Sequence, residues 1–219
     1  MSIHVFLVLI SGLFWTIVYI DAIRIGFKYK TYAIPFWALA LNIAWELLCT
    51  VFGIIEVGVN EQIVVNIIWF IFDLFIVYTY FKYGFQDSNF TIRSQFNFWS
   101  IVVIGGSFLI QYLFIYEFGM IRGVIYAAFL QNFIMSVLFI NLLEKRQSSK
   151  GQSMLIAVSK CIGTIAPTIL FGYLGTRATA GPVHFVLGVG ALILVFDIMY
   201  IYLLYKTIKS EKRGKLVVG

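Results

Sequence analysis

The chain has 219 residues, of which 61% are hydrophobic and 12% are charged, and its formal net charge is +6. Soluble domains contain roughly 25% charged residues, so this composition excludes a soluble globular protein and predicts an integral membrane protein. Aromatic residues make up 18% of the chain, which is more than the belts at the two membrane interfaces require.

The hydrophobic runs predict an all-α fold, a seven-transmembrane-helix bundle that forms a single domain over residues 1–219. About 20 apolar residues in a helix cross the ~30 Å hydrocarbon core of a bilayer. No small-residue cleavage site follows the first run, which is therefore interpreted as a helix rather than a signal peptide. The predicted spans are Ile3–Ile20, Ile34–Ile55, Ile63–Tyr80, Phe98–Tyr116, Ile121–Leu143, Met154–Tyr173 and His184–Tyr205.

The second span carries an acidic residue, Glu46, in the middle of its hydrophobic run. A bare carboxylate at the bilayer midplane costs roughly 2.5 kcal/mol or more, so this acid is expected to be protonated, paired or turned towards a cavity. Asn42 lies four residues earlier on the same helix face, and Trp45 is the preceding residue. Because an acid kept neutral by apolar surroundings can donate a proton, Glu46 is a candidate general acid.

The later spans add further polar residues at a similar depth. In the third span, Asn66, Trp69 and Asp73 follow the spacing i, i+3 and i+7 and therefore share one helix face. The other polar residues of this layer are Gln131, Asn132 and Ser136 in the fifth span, Lys160 in the sixth and Asp197 in the seventh. Groups from five helices at one depth predict a polar pocket inside the bundle.

Several of these residues also have a purely structural interpretation. Glu46 can bond a neighbouring helix, and Asn132 and Ser136 can serve helix packing. Asp73 and Lys160 are predicted to lie close together as an ion pair that holds the bundle together. This expectation rests on their similar depth and on the cost of leaving either charge unpaired in hydrocarbon.

The basic residues predict the orientation of the bundle. Thirteen of the sixteen Lys and Arg residues lie in the first, third and fifth connections and in the C-terminal tail. By the positive-inside rule these segments are cytoplasmic, so the N-terminus is expected outside, which requires an odd number of spans. The positive net charge follows from this topology, and nucleic-acid binding is not expected.

The motifs of many enzyme classes are absent from the sequence. There is no HExxH, no CxxC and no phosphate loop, and no two acidic residues are adjacent, so an aspartate-rich magnesium motif is missing. Neither a metal nor another cofactor is therefore expected. A desolvated acid, a second carboxylate and many aromatic faces instead suit proton-initiated carbocation chemistry. The acid protonates an epoxide or alkene, and aromatic faces stabilise the cation by about 2 kcal/mol when desolvated.

Five short motifs occur in order along residues 42–206. They are Asn42-Ile-Ala-Trp-Glu46, Asn66-x-x-Trp69-x-x-x-Asp73, Gln131-Asn132-x-x-x-Ser136, Lys160-x-x-Gly163-Thr164 and Asp197-x-x-Tyr200. Together they resemble the integral-membrane terpene cyclases of meroterpenoid biosynthesis, the paxilline- and pyripyropene-type cyclases. The resemblance implies cyclisation of a prenylated, often epoxidised, lipophilic substrate within membrane lipids. It also implies that Glu46 is the proton donor and Asp197 its partner in one cavity, with the other motif residues at the substrate.

The alternative is a small seven-helix proton-coupled transporter, because a polar midplane layer with carboxylates serves that function as well. Transporters of this kind often contain discontinuous helices. The second, third and seventh spans have no central Pro or Gly, and Pro167 is the clearest interior breaker. A receptor or structural protein would leave the layer of acids unexplained.

Overall fold

The computed structural model of the chain describes residues 2–59 and 61–217. These residues form six α-helices and no β-strand, which confirms the all-α class. A short 3₁₀ turn, Gly84–Asp87, follows the third helix, and the fifth helix continues as π-helical backbone over Thr168–Leu174. The helices are α1 (Ile3–Tyr29), α2 (Phe36–Val57), α3 (Glu61–Tyr83), α4 (Arg93–Arg146), α5 (Met154–Pro167) and α6 (His184–Val217).

The difference from the predicted number of spans lies in α4, which contains both the fourth and the fifth predicted span. A straight helix of its 54 residues would be about 81 Å long, more than twice the ~30 Å hydrocarbon core. However, Gly119 has φ 75° and ψ 165° and interrupts the helix. Side chains 20 positions apart then meet, with Gln111 Nε2 only 2.7 Å from Gln131 Oε1. The two halves of α4 therefore fold back on each other at a glycine, the residue that adopts positive φ without a Cβ clash.

Pro167 ends the regular α-helical backbone of α5, in agreement with its prediction as an interior breaker. A proline has no N–H to donate, and its ring clashes with the carbonyl four residues earlier. The seven residues that follow it are π-helical. At the other end of α5, the Ser153 hydroxyl accepts hydrogen bonds from the backbone N–H groups of Leu155 and Ile156, which caps the helix.

The helices pack as a closed ring in which each one lies mainly against two neighbours. Around the ring the order is α1, α3, α2, α4, α6 and α5, and α5 contacts α1 again. Each of the six helices is long and apolar enough to cross a membrane, α5 together with its π-helical continuation to Leu174. Large apolar side chains such as Leu13, Phe98 and Val195 are exposed on the outside, whereas many polar side chains are buried. This arrangement suits a multi-pass protein with lipid around it.

Arg146 joins the connections at one end of the ring. Its guanidinium lies 2.8 Å from the Asp87 carboxylate and donates to the Thr31 hydroxyl and to the backbone carbonyls of Tyr32 and Lys150. These contacts link the connections 30–35, 84–92 and 147–153, which we call the basic end of the bundle. Burial raises the pKa of the Tyr32 hydroxyl, although the Arg146 charge, 4.5 Å from the ring, acts in the opposite direction.

Candidate active site

Glu46 lies inside the ring with only 1% of its surface exposed. Its Oε1 accepts a hydrogen bond of 3.0 Å from the Tyr19 hydroxyl, whereas its buried Oε2 has no hydrogen-bond partner within residues 2–59 and 61–217. Among the described residues, no Lys or Arg side chain forms an ion pair with it. A buried charge without a counter-ion is costly, so this environment favours the protonated, neutral acid.

Asn42 connects Glu46 to a second buried acid, Asp73. The Asn42 Nδ2 donates both to the Tyr19 hydroxyl, at 2.6 Å, and to Asp73 Oδ2, at 2.8 Å. Asp73 is fully buried, and its Oδ1 has no hydrogen-bond partner in the part of the chain that the structure describes. The carboxyl group linked to Glu46 by hydrogen bonds is therefore that of Asp73, through one phenol and one amide.

Two glutamines of α4 extend these contacts. Gln131 Nε2 donates to Asn42 Oδ1 at 3.3 Å, and Gln111 Nε2 donates to Gln131 Oε1. The same Gln111 nitrogen donates to the backbone carbonyl of Leu41 at 3.2 Å. Side chains from both halves of α4 thus reach α2. We call the connected residues the acid cluster: Tyr19, Asn42, Glu46, Asp73, Gln111 and Gln131.

Aromatic rings lie directly beside the acid cluster. The Tyr19 ring stacks on Trp69 at a centroid distance of 5.7 Å and lies 6.1 Å from Phe72. The Trp69 indole N–H donates to the Thr16 hydroxyl at 3.1 Å, which fixes the indole between α3 and α1. An acid that favours its neutral form and two electron-rich rings are the groups that proton transfer and cation stabilisation require.

Lys160 pairs with Asp197, so the predicted ion pair between Asp73 and Lys160 is wrong. The Lys160 Nζ lies 2.7 Å and 3.1 Å from the two Asp197 carboxylate oxygens and donates to Ser136 Oγ at 2.6 Å. Asp73 and Asp197 have similar predicted depths in the membrane, so depth alone cannot decide which of them is the partner of Lys160. The order of helices decides the partner, because α5 packs against α6 while α1 lies between α5 and α3.

The remaining predicted residues divide between this second site and more distant contacts. Asn132 Nδ2 donates to Thr164 Oγ1 at 2.8 Å, and Thr164 in turn donates to the Lys160 carbonyl. We call Asn132, Ser136, Lys160, Thr164 and Asp197 the ion-pair cluster. Besides Trp69, which bonds Thr16, three predicted residues form hydrogen bonds outside both clusters: Trp45 with the Val124 carbonyl, Asn66 with Gln62 and Tyr200 with Gln152.

Glu46 and Asp197 share no hydrogen bond or ion pair among the described residues, and their predicted partnership within one cavity stays a prediction. Asp197 is bound on both oxygens by Lys160, and Glu46 is bound by Tyr19. The two clusters nevertheless meet on α4, where the adjacent residues Gln131 and Asn132 contribute one side chain to each.

Sequence analysis did not identify Tyr19 and Gln111 as members of the site. Gln111 is an amide within the fourth predicted span, so its polarity was a usable signal. Tyr19 is one of 13 tyrosines and lies at the end of the first predicted span. Because tyrosines are common at membrane interfaces, its position gave no indication of a role beside an acid.

Comparison with known proteins identifies related sequences along nearly the whole chain. The family described as Pyr4-like transmembrane terpene cyclases matches residues 1–210. The Pyr4-family terpene cyclase mfmH of Annulohypoxylon moriforme is 31% identical over 175 residues, which cover 75% of this chain and 68% of the relative. The terpene cyclase pyr4 of Aspergillus fumigatus is 27% identical over 217 residues, covering 94% and 88% respectively. No solved structure matches the chain.

Proposed function

The chain belongs to the Pyr4-like transmembrane terpene cyclases, and from this premise we propose that it protonates an epoxide or alkene of a prenylated lipophilic substrate. Its relatives are named terpene cyclases, so the protein is a membrane terpene cyclase rather than a transporter. The family implies a prenylated or terpenoid substrate. The position of protonation and the residues responsible are our proposal.

The environment of Glu46 carries the proposal. The side chain is buried, has no cationic partner in the described part of the chain and presents one unbonded oxygen, Oε2. A carboxylic acid that stays neutral in a dry site keeps a proton that it can donate to the substrate, whereas an ionised carboxylate has none to give. Water in the site would quench a cation. We therefore assign Glu46 as the general acid.

The proposed reaction is a redox-neutral cyclisation of the substrate. The O–H bond of Glu46 breaks and its proton bonds to the epoxide oxygen or to an alkene carbon. With an epoxide, one C–O bond then opens and leaves positive charge on carbon. Electron pairs of the remaining alkenes close new C–C bonds, and loss of a proton to a carboxylate ends the reaction. The product is then an isomer of the substrate.

The aromatic side chains beside the acid cluster are proposed to stabilise the cation. Trp69 and Tyr19 are stacked next to the acid, and a desolvated cation–π contact is worth about 2 kcal/mol. Each contact of this strength would accelerate a step by roughly 30-fold if it acted fully in the transition state. The fixed ring positions support this role, since Thr16 holds the Trp69 indole.

Asp197 is proposed as the second catalytic carboxylate. Its carboxylate is held in place by the Lys160 ammonium at 2.7 Å, and a carboxylate fixed in this way can stabilise a developing cation. The other predicted residues are proposed to contact the substrate, and the hydrogen bonds of Asn42 and Gln131 within the acid cluster give these two a positioning role as well. The proposed substrate-contacting residues are Asn42, Trp45, Asn66, Trp69, Asp73, Gln131, Asn132, Ser136, Lys160 and Tyr200.

We further propose that α4 crosses the membrane twice, which gives seven crossings. The turn at Gly119 and the contact between Gln111 and Gln131 support two antiparallel halves. With seven crossings the Ile3 end of α1 lies outside and the basic end, together with the end of α6, lies in the cytoplasm.

Replacement of Glu46 tests the proposed function directly. Glu46→Gln keeps the shape and the hydrogen bond from Tyr19 but removes the acid, so product formation should be abolished in the folded variant. Glu46→Asp retains an acid that is withdrawn by one methylene, and a misplacement of about 1 Å can cost ~100-fold in rate. The measurement is product formation by mass spectrometry from candidate prenylated substrates, with monodisperse protein.

Glu117→Gln is the matched control, because it makes the same change at an exposed glutamate outside both clusters. It should cyclise at the wild-type rate. If Glu46→Gln cyclises as fast as the wild type, Glu46 is not the donor and the proposed mechanism is overturned.

A further inference from the structure

We propose that Tyr19 is a positioning residue whose hydroxyl direction is set by a chain of side-chain amides, so that the acid proton of Glu46 resides on Oε2. This inference rests on the proposed function of Glu46 as proton donor. It follows from the number of hydrogens that each group in the acid cluster can offer.

The chain of hydrogen bonds starts at a backbone carbonyl, which can only accept. The Leu41 carbonyl accepts from Gln111, so Gln111 must present its NH₂ group there. The second hydrogen of that NH₂ group is donated to Gln131 Oε1 at 2.7 Å. Both hydrogens of Gln111 are then used, and the orientation of both glutamine amides is determined.

The direction continues through Asn42. Because Gln131 accepts with its oxygen, its nitrogen is left to donate to Asn42 Oδ1. Asn42 must therefore turn its NH₂ group to the other side, where its two hydrogens meet the Tyr19 oxygen and Asp73 Oδ2. No hydrogen of the Asn42 amide remains for a further partner.

Tyr19 has a single hydrogen, and the amide chain leaves it only one acceptor. Its oxygen accepts from Asn42, so its own O–H donates to Glu46 Oε1 at 3.0 Å. Oε1 is thus an acceptor. Because the carbonyl oxygen is the better acceptor of a neutral carboxyl group, this hydrogen bond favours the proton on the other oxygen. That oxygen, Oε2, is buried and has no hydrogen-bond partner among the described residues, which leaves its proton available for transfer.

Hydrogen bonds that ran in the opposite direction through these side chains would inhibit the reaction. If Asn42 presented its oxygen to Tyr19, the phenol would donate to Asn42 and accept the proton of Glu46. The acid proton would then be held in a hydrogen bond within the protein instead of reaching the substrate. The side-chain amides of Gln111, Gln131 and Asn42 therefore select one of two hydrogen-bonding arrangements that have nearly the same shape.

Tyr19→Phe tests the inference, because it removes the hydroxyl and keeps the ring that stacks on Trp69. Without the hydroxyl, the Glu46 proton distributes between both oxygens and the carboxyl group is no longer fixed. We expect kcat to fall by roughly 10- to 100-fold while KM stays near the wild-type value. Tyr80→Phe is the matched control: it removes another buried tyrosine hydroxyl, which contacts Ser100 and lies outside both clusters.

Gln111→Met provides a second test at a distance from Glu46. It removes both donors at the start of the chain of amides, so the amides of Gln131 and Asn42 can turn over, and kcat at saturating substrate should fall. This variant decides the inference if Tyr19→Phe does not fold. A wild-type kcat in folded Tyr19→Phe, or a raised KM with unchanged kcat, overturns it while leaving Glu46 as the donor. Activity in Glu46→Gln overturns the proposed function itself.

Discussion

The carboxyl side chains buried inside the ring differ in their partners, and this difference separates their chemistry. Asp197 is bound by the ammonium group of Lys160, whereas within the described residues Glu46 is bound by a phenol and Asp73 by an amide. The Lys160 ammonium is a counter-ion for Asp197, whereas the lack of a cation beside Glu46 among the described residues favours the neutral form of Glu46. Two acids in one bundle can therefore act as a fixed anion and as a proton donor.

The ion pair gives a prediction that separates stability from catalysis. Lys160→Met or Asp197→Asn alone leaves one buried charge uncompensated, which should lower the free energy of unfolding by about 3–5 kcal/mol. The double variant removes both charges and should recover much of that loss. Thermal unfolding in detergent measures the effect, and Lys212→Met, at an exposed lysine, is the control.

Activity in the same variants tests the role of Asp197. The double variant should be stable but should cyclise far more slowly than the wild type, because the fixed negative charge near the cation is missing. If the stable double variant forms product at the wild-type rate, the ion-pair cluster serves packing alone and Asp197 is not catalytic.

At the scale of the helices, the close contact between the halves of α4 depends on Gly123. A Cβ atom at this position would overlap the backbone carbonyl oxygen of Phe114, and backbone cannot move aside as a flexible side chain can. The aromatic rings of Phe118 and Tyr126 meet across the same turn at 5.4 Å. A glycine at position 123 thus lets the two halves approach closely enough for Gln111 to reach Gln131.

Gly123→Ala should therefore destabilise the bundle. Forcing an extra methyl group into a packed interface costs about 1–3 kcal/mol, and the halves of α4 should separate enough to weaken the Gln111–Gln131 hydrogen bond. Gly106→Ala is the control in the same helix, since a Cβ there has no neighbouring atom within 4 Å. Thermal unfolding of the two variants should show a lower midpoint for Gly123→Ala only; equal midpoints would contradict the packing argument.

At the scale of the whole molecule, the closed ring of helices and the proposed orientation lead to a prediction about access. Glu117 lies next to the Gly119 turn, and Lys150 lies in the connection after α4. Both are exposed. If α4 crosses the membrane twice, Glu117 at the turn and Lys150 after the second half of α4 lie on opposite sides of the membrane.

Cysteine labelling in intact cells checks this topology. Glu117→Cys should react with a membrane-impermeant thiol reagent, and Lys150→Cys should react only after permeabilisation. The native Cys49 and Cys161 are free but buried, so the unmodified protein is the background control. A reporter fused after Lys215 should be active in the cytoplasm. Labelling of Lys150→Cys in intact cells would contradict the proposed orientation.

Much of the architecture was determined by the sequence alone. The hydrophobic runs identified the membrane class and helices close to those found, such as Ile34–Ile55 for the observed Phe36–Val57. Pro167 marked the end of regular helix, and Glu46 stood out because a carboxylate is costly in hydrocarbon. These inferences need only composition, length and the chemistry of single residues, which do not depend on which helices are neighbours.

The tertiary structure alone decided which polar groups meet. Helical periodicity and depth specify a face and a height, but they leave the neighbouring helix open, so Asp73 and Asp197 were equivalent partners for Lys160 until the ring order placed α6 beside α5. The same reason explains why the sequence did not indicate a role for Tyr19. Its hydroxyl reaches Glu46 only because α1 packs against α3 and α2 lies on the other side of α3. Hydrogen bonds between helices join residues that are far apart in the sequence, and no local sequence pattern indicates which helices pack together.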